Sequence, residues 1–327
     1  MKLLLELSME CEPLARSEAL SVGRGIGDVA EVILEDDGVM VIDTDANPSK
    51  FVDRIALCHS VSEYLGSCNP EDVEGTASSL DVHGPIRVHS TRIGTSHIDV
   101  DLDRMNHSIG EAMGRSVDLR NPQSEVRIVY SEDVHIGRLL GSVDRASYEH
   151  RKTKNLPFDR PISIHPKFAR CLVNLTETRP GERLLDPFCG TGSVVAEAAL
   201  AGTVAIGADI SERMIQGARA NLAYLGAEAM LHKCDVGSLH AFIRHVDGIA
   251  TDPPYGRSSS TNGEPVDRLF KRAFRAFGEI VDKRSRVAIA VHDSELTSLA
   301  EDFQQIVCHD FWVHRSLTRH FCVLERI

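Results

Sequence analysis

Short apolar segments alternate with helical segments from residue 183 onward, and this alternation constrains the fold more than any other feature. Helices are predicted between most of the strands. The first five predicted strands begin at Arg183, Thr203, Ala229, Gly248 and Val287. Two more strands, residues 305–313 and 319–324, follow with no helical pattern between them. The alternation predicts a parallel, doubly wound sheet. The closing pair predicts that the last of seven strands is antiparallel.

A glycine-rich turn follows the first of these strands and opens a helix. Ligands of open α/β sheets bind at the carboxyl ends of the strands, and glycines let the backbone approach a ligand closely. The turn lacks the G-x-G-x-x-G pattern and the lysine of a P-loop, so pyrophosphate is a poor fit. By itself, the turn could be an ordinary strand–helix connection. We expect a cofactor site that includes Asp186, Phe188, Cys189, Gly190, Thr191 and Gly192.

Two further aspartates close the second and third strands. The carboxylate of Asp209 can accept hydrogen bonds from two ribose hydroxyls. It could instead cap the next helix, but the hydroxyl of Ser211 can take that role. Asp235 is placed to reach an adenine amino group, although a purely structural role is a stronger alternative for Asp235 than for Asp209. We expect both aspartates, with the adjacent Ile210 and Val236, to contact the cofactor.

The tetrad Asp252-Pro253-Pro254-Tyr255 follows the fourth strand directly. A nucleobase amino nitrogen is a poor nucleophile because its lone pair is delocalised into the ring. A carboxylate and a rigid backbone carbonyl can accept hydrogen bonds from this amine and aim its lone pair at the methyl group of a sulfonium donor. Two prolines fix the loop, and the aromatic ring can stack on the base. We expect all four residues to be catalytic, with Asp252 also near the cofactor.

The net charge of −12 argues against an RNA partner, because RNA-binding domains are usually basic. However, residues 1–143 carry 12 Lys+Arg against 25 Asp+Glu, whereas residues 144–327 carry 24 against 23. The acidic excess therefore lies in the front half. Cations concentrate between residues 145 and 160, in either a solvated linker or a strip that contacts RNA phosphates. The phosphate-contact hypothesis names Arg151, Lys152 and Lys154.

The cysteine pattern and the lack of long apolar runs limit the class of protein. None of the eight cysteines forms a C-x-x-C pair or a Cys/His cluster with zinc-finger spacing, so we expect no metal. Most should be buried thiols, and a disulfide among Cys11, Cys58 and Cys68 is left open. No apolar run approaches the roughly 20 residues of a membrane helix, and the N-terminus does not have the features of a signal peptide. We expect a cytoplasmic protein.

The front half predicts a small α+β assembly without a catalytic cluster. A helix over residues 13–20 is expected to end at the glycine-rich stretch 23–27. Apolar residues at helical spacing predict an amphipathic helix over residues 48–66. Strands are predicted at residues 86–91 and 126–131.

Three segments of the rear half together resemble the archaeal family that methylates the N2 amino group of guanosine 10 in tRNA: DPFCGTG from Asp186, DPPYGRSS from Asp252 and HRSLTRH from His314. In the front half, the segments that begin at Ile86 and Val117 resemble a THUMP domain. The resemblance implies S-adenosylmethionine as methyl donor, Asp252 and Tyr255 acting on the base, and a THUMP domain that docks the acceptor end of tRNA.

Together, the strand pattern and the resemblance predict a class I methyltransferase fold preceded by a smaller α+β THUMP-like region. We expect a ferredoxin-like piece at residues 1–50, a THUMP domain at 51–146, a linker at 147–164 and a Rossmann-like methyltransferase domain at 165–327. The candidate RNA contacts also include Arg87, Arg92 and Arg257. We expect the chain to act on tRNA as a monomer, with an accessory protein left open.

Three alternatives are left open. A sister family with a THUMP domain methylates guanosine 6 of tRNA and shares most of these motifs. A methyltransferase for an amino group of another RNA or of DNA would keep the tetrad, although the THUMP-like half argues against DNA. A protein of a different class, which binds RNA without catalysis, could retain the fold, but the intact Asp252 and Tyr255 argue against it.

Overall fold

The contacts of the chain divide it into two compact units. The front unit comprises residues 1–53 and 57–143, and the rear unit comprises residues 54–56 and 144–327. The computed structural model describes residues 1–161, 163–254, 263–315 and 317–327. Across these described ranges, no helix is both long enough and apolar enough to span a membrane.

The front unit is built on one seven-stranded sheet. Its strands are β1 (Lys2–Leu7), β2 (Ala30–Asp36), β3 (Val39–Thr44), β4 (Cys58–Cys68), β5 (Ile86–Arg92), β6 (Ser124–Tyr130) and β7 (Val134–Ser142). Its helices are α1 (Glu12–Ile26), α2 (Pro48–Arg54), α3 (Val73–Ser78) and α4 (Leu102–Ala112). The strand order is β2-β3-β1-β4-β7-β6-β5. Neighbouring strands are antiparallel except β5 and β6, which are parallel. The α+β region predicted for the front half is therefore present.

Two predicted helices of the front half differ from the structure. The helix predicted over residues 48–66 is wrong, because α2 ends at Arg54 and β4 begins at Cys58. β4 pairs with both β1 and β7, and these two ladders of backbone hydrogen bonds outweigh the helical spacing of its apolar residues. The second helix, α1, is longer than predicted: it continues through Gly23 and Gly25 and ends at Ile26, with Gly27 as its C-cap. Position 23 requires glycine because a Cβ there would lie 2.6 Å from the Cβ of Ala30.

The rear unit has the predicted alternating architecture. Its helices are α5 (Arg145–His150), α6 (Pro166–Leu175), α7 (Ser193–Leu200), α8 (Glu212–Leu225) and α9 (Val266–Gly278). Its strands are β8 (Arg183–Asp186), β9 (Val204–Asp209), β10 (Met230–Lys233), β11 (Val246–Thr251), β12 (Val281–Val291), β13 (Phe303–His314) and β14 (Leu317–Arg326). They form one sheet in the order β10-β9-β8-β11-β12-β14-β13. The first five run parallel, and β14 is antiparallel to both β12 and β13. The predicted fold class is confirmed.

The strand order places the switch point of this sheet beside β8. The chain moves outward from β8 through β9 to β10, and then returns to the other side of β8 at β11. Ligands bind at the carboxyl ends of strands at such a point. The apolar side chains of α9, including Phe270, Phe274 and Phe277, pack against β11 and β12 and hold these strand ends in place. A buried phenylalanine contributes about 1.5–3 kcal/mol. At the far edge, a disulfide joins Cys308 on β13 to Cys322 on β14.

The segment expected to be a linker, residues 147–164, packs within the rear unit. The side chain of Asn221 on α8 exchanges two hydrogen bonds of 2.8 Å with the backbone of Phe158. The guanidinium of Arg151 contacts the buried carboxylate of Glu197, with Nε at 2.6 Å from Oε1. Arg170 contacts the same carboxylate at 3.0 Å. The division of the front half at residue 50 stays a prediction.

Candidate active site

A cleft of about 920 Å3 opens at the carboxyl ends of the parallel strands of the rear unit. Ligand sites typically enclose about 300–1,000 Å3, so the cleft has room for a cofactor and part of a substrate. Gly192 is not among its lining residues; it caps α7 with a φ of 85°. The cleft brings together these predicted residues: Asp186, Phe188, Cys189, Gly190, Thr191, Asp209, Ile210, Asp235, Val236, Asp252, Pro253 and Pro254.

Asp186 ends β8 as a buried carboxyl group at the base of the cleft. Its Oδ1 accepts hydrogen bonds from the Thr251 hydroxyl at 2.6 Å and from the Phe188 backbone N–H at 3.1 Å. Burial raises the pKa of Asp186 to about 7, and the negative charges of Asp252 and Asp209 act in the same direction. This carboxyl group is therefore poised to lose its proton when a positive charge enters the cleft.

Asp209 ties the end of β9 to the glycine-rich turn. Its Oδ2 accepts a hydrogen bond from the Gly190 N–H at 3.1 Å, and its Oδ1 accepts one from the Ser211 N–H at 2.8 Å. The Ser211 hydroxyl caps α8 by accepting from the Met214 N–H. Asp209 is therefore not the cap, and its carboxylate faces the cleft. Burial raises the pKa of Asp209, so hydroxyl donors from a ribose would stabilise its charged form.

Asp235, after β10, belongs to an ion-pair cluster with Arg272 of α9 and Glu264. The Arg272 guanidinium makes two contacts with the carboxylate of Asp235, at 2.5 and 3.2 Å, and two with Glu264, at 3.0 and 2.8 Å. The hydrogen bond from Arg272 holds the pKa of Asp235 below its ordinary value. Asp235 is therefore a charged acceptor at the cleft wall, already oriented by a partner that the sequence did not predict.

Asp252 stands at the end of β11 beside the buried Arg319 of β14. The Nη2 of Arg319 donates a hydrogen bond to Oδ2 of Asp252 at 3.1 Å. The two side chains are only 12% and 10% exposed. Pro253 is buried and Pro254 is half-buried, and consecutive prolines restrict this backbone. Tyr255, the last residue of the predicted tetrad, lies outside the described residues.

The candidate RNA contacts lie in different surroundings, and their role stays a prediction. Arg151 is paired with the buried Glu197, which lowers its availability for phosphate. Lys152 pairs with Glu149 at 2.5 Å, whereas Lys154 is exposed. Their shared segment does lead to the cleft, because residues 160, 161, 163 and 164 line it.

On β5 of the front unit, both candidate RNA contacts lie near acids. Arg87 is 3.7 Å from Glu125. Arg92 is 4.0 Å from Asp99 and also bonds the backbone oxygen of Val100. Arg257 lies outside the described residues. The sequence identified these arginines but not the neighbouring acids, which reduce the local positive charge.

Sequence reasoning missed several residues of the cleft. Arg160 and Ser163 come from the segment expected to be a linker, and the Ser163 and Thr191 hydroxyls lie 3.0 Å apart. Arg272 lies on α9, where no site residue was predicted. Arg319 lies in the HRSLTRH segment, so the resemblance pointed to its region but not to its partner.

The hydrogen-bond acceptors and the acidic charge of the cleft fit S-adenosylmethionine. Its adenosine offers ribose hydroxyls and an amino group, which match the acceptors Asp209 and Asp235, and its positive charges match an acid-lined cleft. Gly190 has a φ of 50°, and a Cβ added there would approach only one atom, the Phe188 carbonyl oxygen, at 3.9 Å. The backbone at this turn is therefore open to close approach by a ligand. The sheet and this cleft define the class of protein as a methyltransferase with the class I fold.

Comparison with known proteins agrees with this class and narrows it. Residues 154–320 match the family described as RMKL-like, methyltransferase domain. The tRNA (guanine(10)-N2)-dimethyltransferase of Methanothermobacter thermautotrophicus is 34% identical over 100% of both chains. The tRNA (guanine(6)-N2)-methyltransferase of Thermus thermophilus is 33% identical over 62% of this chain and 61% of its own. The crystal structure of TrmN from Thermus thermophilus shares the fold, with a TM-score of 0.54 and 23% identity over both full chains. The chain belongs to the family of the archaeal tRNA (guanine(10)-N2)-dimethyltransferases.

Proposed function

We propose that this chain methylates the N2 amino group of guanosine 10 in tRNA. One observation carries the proposal: the Asp252-Pro253-Pro254 segment lies at the end of β11, in the same cleft as the aspartates suited to the cofactor. The names of the full-length archaeal relatives, which specify guanine 10, support the choice of substrate. Their names also specify dimethylation, so we propose that two methyl groups are added.

In the proposed mechanism, Asp252 and the Pro253 carbonyl accept hydrogen bonds from the two N–H groups of the guanine amine. These bonds draw the nitrogen lone pair out of the ring system and aim it into the cleft. S-adenosylmethionine, when bound, supplies an electrophilic methyl group and leaves as S-adenosylhomocysteine. The methylated nitrogen must then release one proton, and we propose that Asp252, which accepts a hydrogen bond from this nitrogen, takes it. Tyr255 is proposed to stack on the base, which is worth about 1–3 kcal/mol.

The amine of a paired guanine lies in a helical groove, engaged with its partner base. Reaching it requires extrusion of the nucleotide, at a cost of a few kcal/mol. We propose that docking of the tRNA acceptor end by the THUMP-like front unit offsets this cost and sets the distance to the base. Because the front half is strongly acidic, docking should depend on local cations such as Arg87 and Arg92 rather than on net charge.

The specificity test uses unmodified tRNA transcripts, labelled S-adenosylmethionine and mass spectrometry of the nucleosides. A matched pair of transcripts has either guanosine 10 or guanosine 6 replaced together with its pairing partner. We expect N2-methylated guanosine in all transcripts except the one without guanosine 10. Loss of product only when guanosine 6 is replaced would favour the second candidate, which the Thermus thermophilus relative supports. If no transcript is methylated, the result would favour the alternative of an RNA-binding protein without catalytic activity.

The phosphate strip is tested separately. Replacing Lys152 and Lys154 by Gln should weaken tRNA binding and reduce its salt dependence, with the slope falling by about 1 for each phosphate that the variant no longer neutralises. Arg151 is left intact because its removal would take a compensating cation away from the buried carboxylate of Glu197. An unchanged salt slope would mean that the segment does not contact phosphate. We further propose that the chain is cytoplasmic and that it is active as a monomer. Light scattering of the active protein would test the monomeric state.

A further inference from the structure

Arg319 reaches the proposed catalytic carboxylate because β14 runs against the parallel strands. The pairing of β12 with β14 ends where Val291 faces His320. Arg319 is therefore one residue beyond the carboxyl end of β12, at the edge of the sheet where the cleft opens. A strand parallel to β12 would have placed its first residues at the opposite edge.

The contact between Arg319 and Asp252 joins two charges in a mostly dry environment. The nitrogen–oxygen distance is 3.1 Å, and neither side chain is more than 12% exposed. Such a pair is held in place because separating it would leave a charge buried without compensation. An arginine is suited to this task because its guanidinium stays charged and orients a carboxylate through a planar group.

Other charges at this edge make a cation beside Asp252 necessary. Asp186 ends β8, the strand beside β11, and Asp209 ends β9, the next strand beyond it. The charge of Asp252 raises the pKa of Asp186. His292 follows β12 at the same edge, and Arg272 and Glu264 line the same cleft. Three carboxyl groups in a partly dry cleft cannot all ionise without compensation. Without a cation, a proton would be favoured on Asp252, which would turn an acceptor into a donor.

We propose that Arg319 is a positioning residue that keeps Asp252 ionised and in a fixed orientation for the substrate amine. Arg319 does not need to touch the base. Its effect passes through the carboxylate, which must accept a hydrogen bond while the nitrogen attacks. The inference rests on the proposed role of Asp252 in methyl transfer, and it adds the residue that sets the charge state of this group.

The test compares Arg319→Gln with Arg319→Lys in the full-length protein. For Arg319→Gln we expect kcat at pH 7 to fall by about tenfold or more. The acidic limb of its kcat profile should move to higher pH by about one to three pH units, the usual effect of a close opposite charge. Activity should recover toward the wild-type level at high pH. The KM for tRNA and the affinity for S-adenosylhomocysteine should stay within about threefold of wild type, because the proposed effect of Arg319 acts through Asp252 in the methyl-transfer step.

The conservative and control variants separate charge from structure. Arg319→Lys keeps the positive charge, so its acidic limb should stay near that of wild type even if kcat is lower. Arg326→Gln removes an arginine from the same strand, where it pairs with Asp302, and should leave the profile unchanged. His292→Gln should also keep the limb, which would exclude that imidazole as its origin. In an Asp252→Asn background, Arg319→Gln should cause no further loss of kcat.

Thermal unfolding supplies a measurement that needs no activity. Because Arg319→Gln removes a buried cation from beside Asp252, the loss of Tm should be larger at pH 8 than at pH 5, and Asp252→Asn should abolish this difference. A reduced kcat with an unmoved acidic limb and a loss of Tm independent of pH would overturn the inference. A wild-type chain that methylates no tRNA would instead refute the proposed function, while the unfolding measurement would still decide whether Arg319 governs the charge of Asp252.

Discussion

Replacing Asp186 by Asn should stabilise the ligand-free protein, and the gain should grow with pH. Asp186 is buried, and its pKa is raised from 3.8 to about 7. A group with a raised pKa in the folded state favours folding most at low pH, and this contribution is lost as pH rises through about 7. At about 1.4 kcal/mol per pKa unit, the full loss between these values is about 4 kcal/mol.

Asn keeps the geometry but cannot ionise. Its side-chain oxygen can still accept from the Thr251 hydroxyl and the Phe188 N–H, which both bond Oδ1 of Asp186. The difference in unfolding free energy between variant and wild type should therefore be about 3 kcal/mol larger at about pH 8.5 than at about pH 4.5. Urea unfolding followed by tryptophan fluorescence measures this difference, because Trp312, the single tryptophan of the chain, lies on β13 of the same unit.

The matched control is Asp159→Asn, since Asp159 is exposed and its replacement changes the net charge equally without altering the buried carboxyl group. The same Asp186→Asn variant should bind S-adenosylmethionine more weakly, because the cleft loses a negative charge that faces a cationic ligand. A stability difference for Asp186→Asn that is constant between about pH 4.5 and 8.5 would refute the reasoning, since it would mean that the buried carboxyl group does not titrate differently in the folded state.

Three other acidic side chains can be replaced with measurable effects: two in the cleft and one in a buried ion pair of the rear unit. Asp209→Ala removes two charge-assisted hydrogen bonds to the ribose, each worth about 1.5–3 kcal/mol, so calorimetry should show at least about a hundredfold weaker binding of S-adenosylhomocysteine; unchanged affinity would exclude Asp209 from the site. Asp252→Asn should lower kcat by about 10²–10⁴-fold with near-normal cofactor affinity, and near wild-type methyl transfer would mean that this carboxylate is not the acceptor. Glu197→Gln leaves the buried Arg170 and the half-buried Arg151 without this anion, so urea unfolding should show a loss of about 3–5 kcal/mol. A loss below about 1 kcal/mol would contradict that account.

The fold of the rear unit was predictable because its signals are local. Strand ends are marked by aspartates and glycines, and β8, β9 and β10 begin within one residue of the predicted starts at Arg183, Thr203 and Ala229. The front unit was less predictable, since β4 carries apolar residues at a spacing that fits both a helix and a buried strand. Only its two neighbouring strands, which the local sequence does not specify, decide between these structures.

The candidate site was predictable on the same terms. The aspartates that follow β8, β9, β10 and β11 meet in one cleft because parallel strands end at the same edge. The arginines that accompany them come from elsewhere. Arg272 lies on a helix, Arg319 on an antiparallel strand and Arg160 in a segment with no regular pattern. A local motif identifies a residue that the backbone places directly, but it does not identify a partner that long-range packing brings to it.

The carboxyl groups of the cleft differ in what controls their charge: some pair with an arginine, and others have a pKa raised by burial. Arg272 pairs with Asp235 and Glu264 and holds the pKa of Asp235 below its ordinary value. Arg319 pairs with Asp252, and we propose that it keeps this carboxylate charged as an acceptor. Burial raises the pKa of Asp186 to about 7, so near neutral pH part of the negative charge of the ligand-free cleft is neutralised by a proton on this carboxyl group. A cationic ligand can replace that proton, whereas a neutral ligand gains less, because opposite charges at about 4 Å attract by about 4 kcal/mol at an effective dielectric constant near 20. Methyl transfer converts a sulfonium into a neutral thioether, and so removes the charge that favoured binding. If Asp186 faces the methyl donor as we propose, this buried carboxyl group holds the neutral product less tightly, which favours product release before the proposed second methyl transfer.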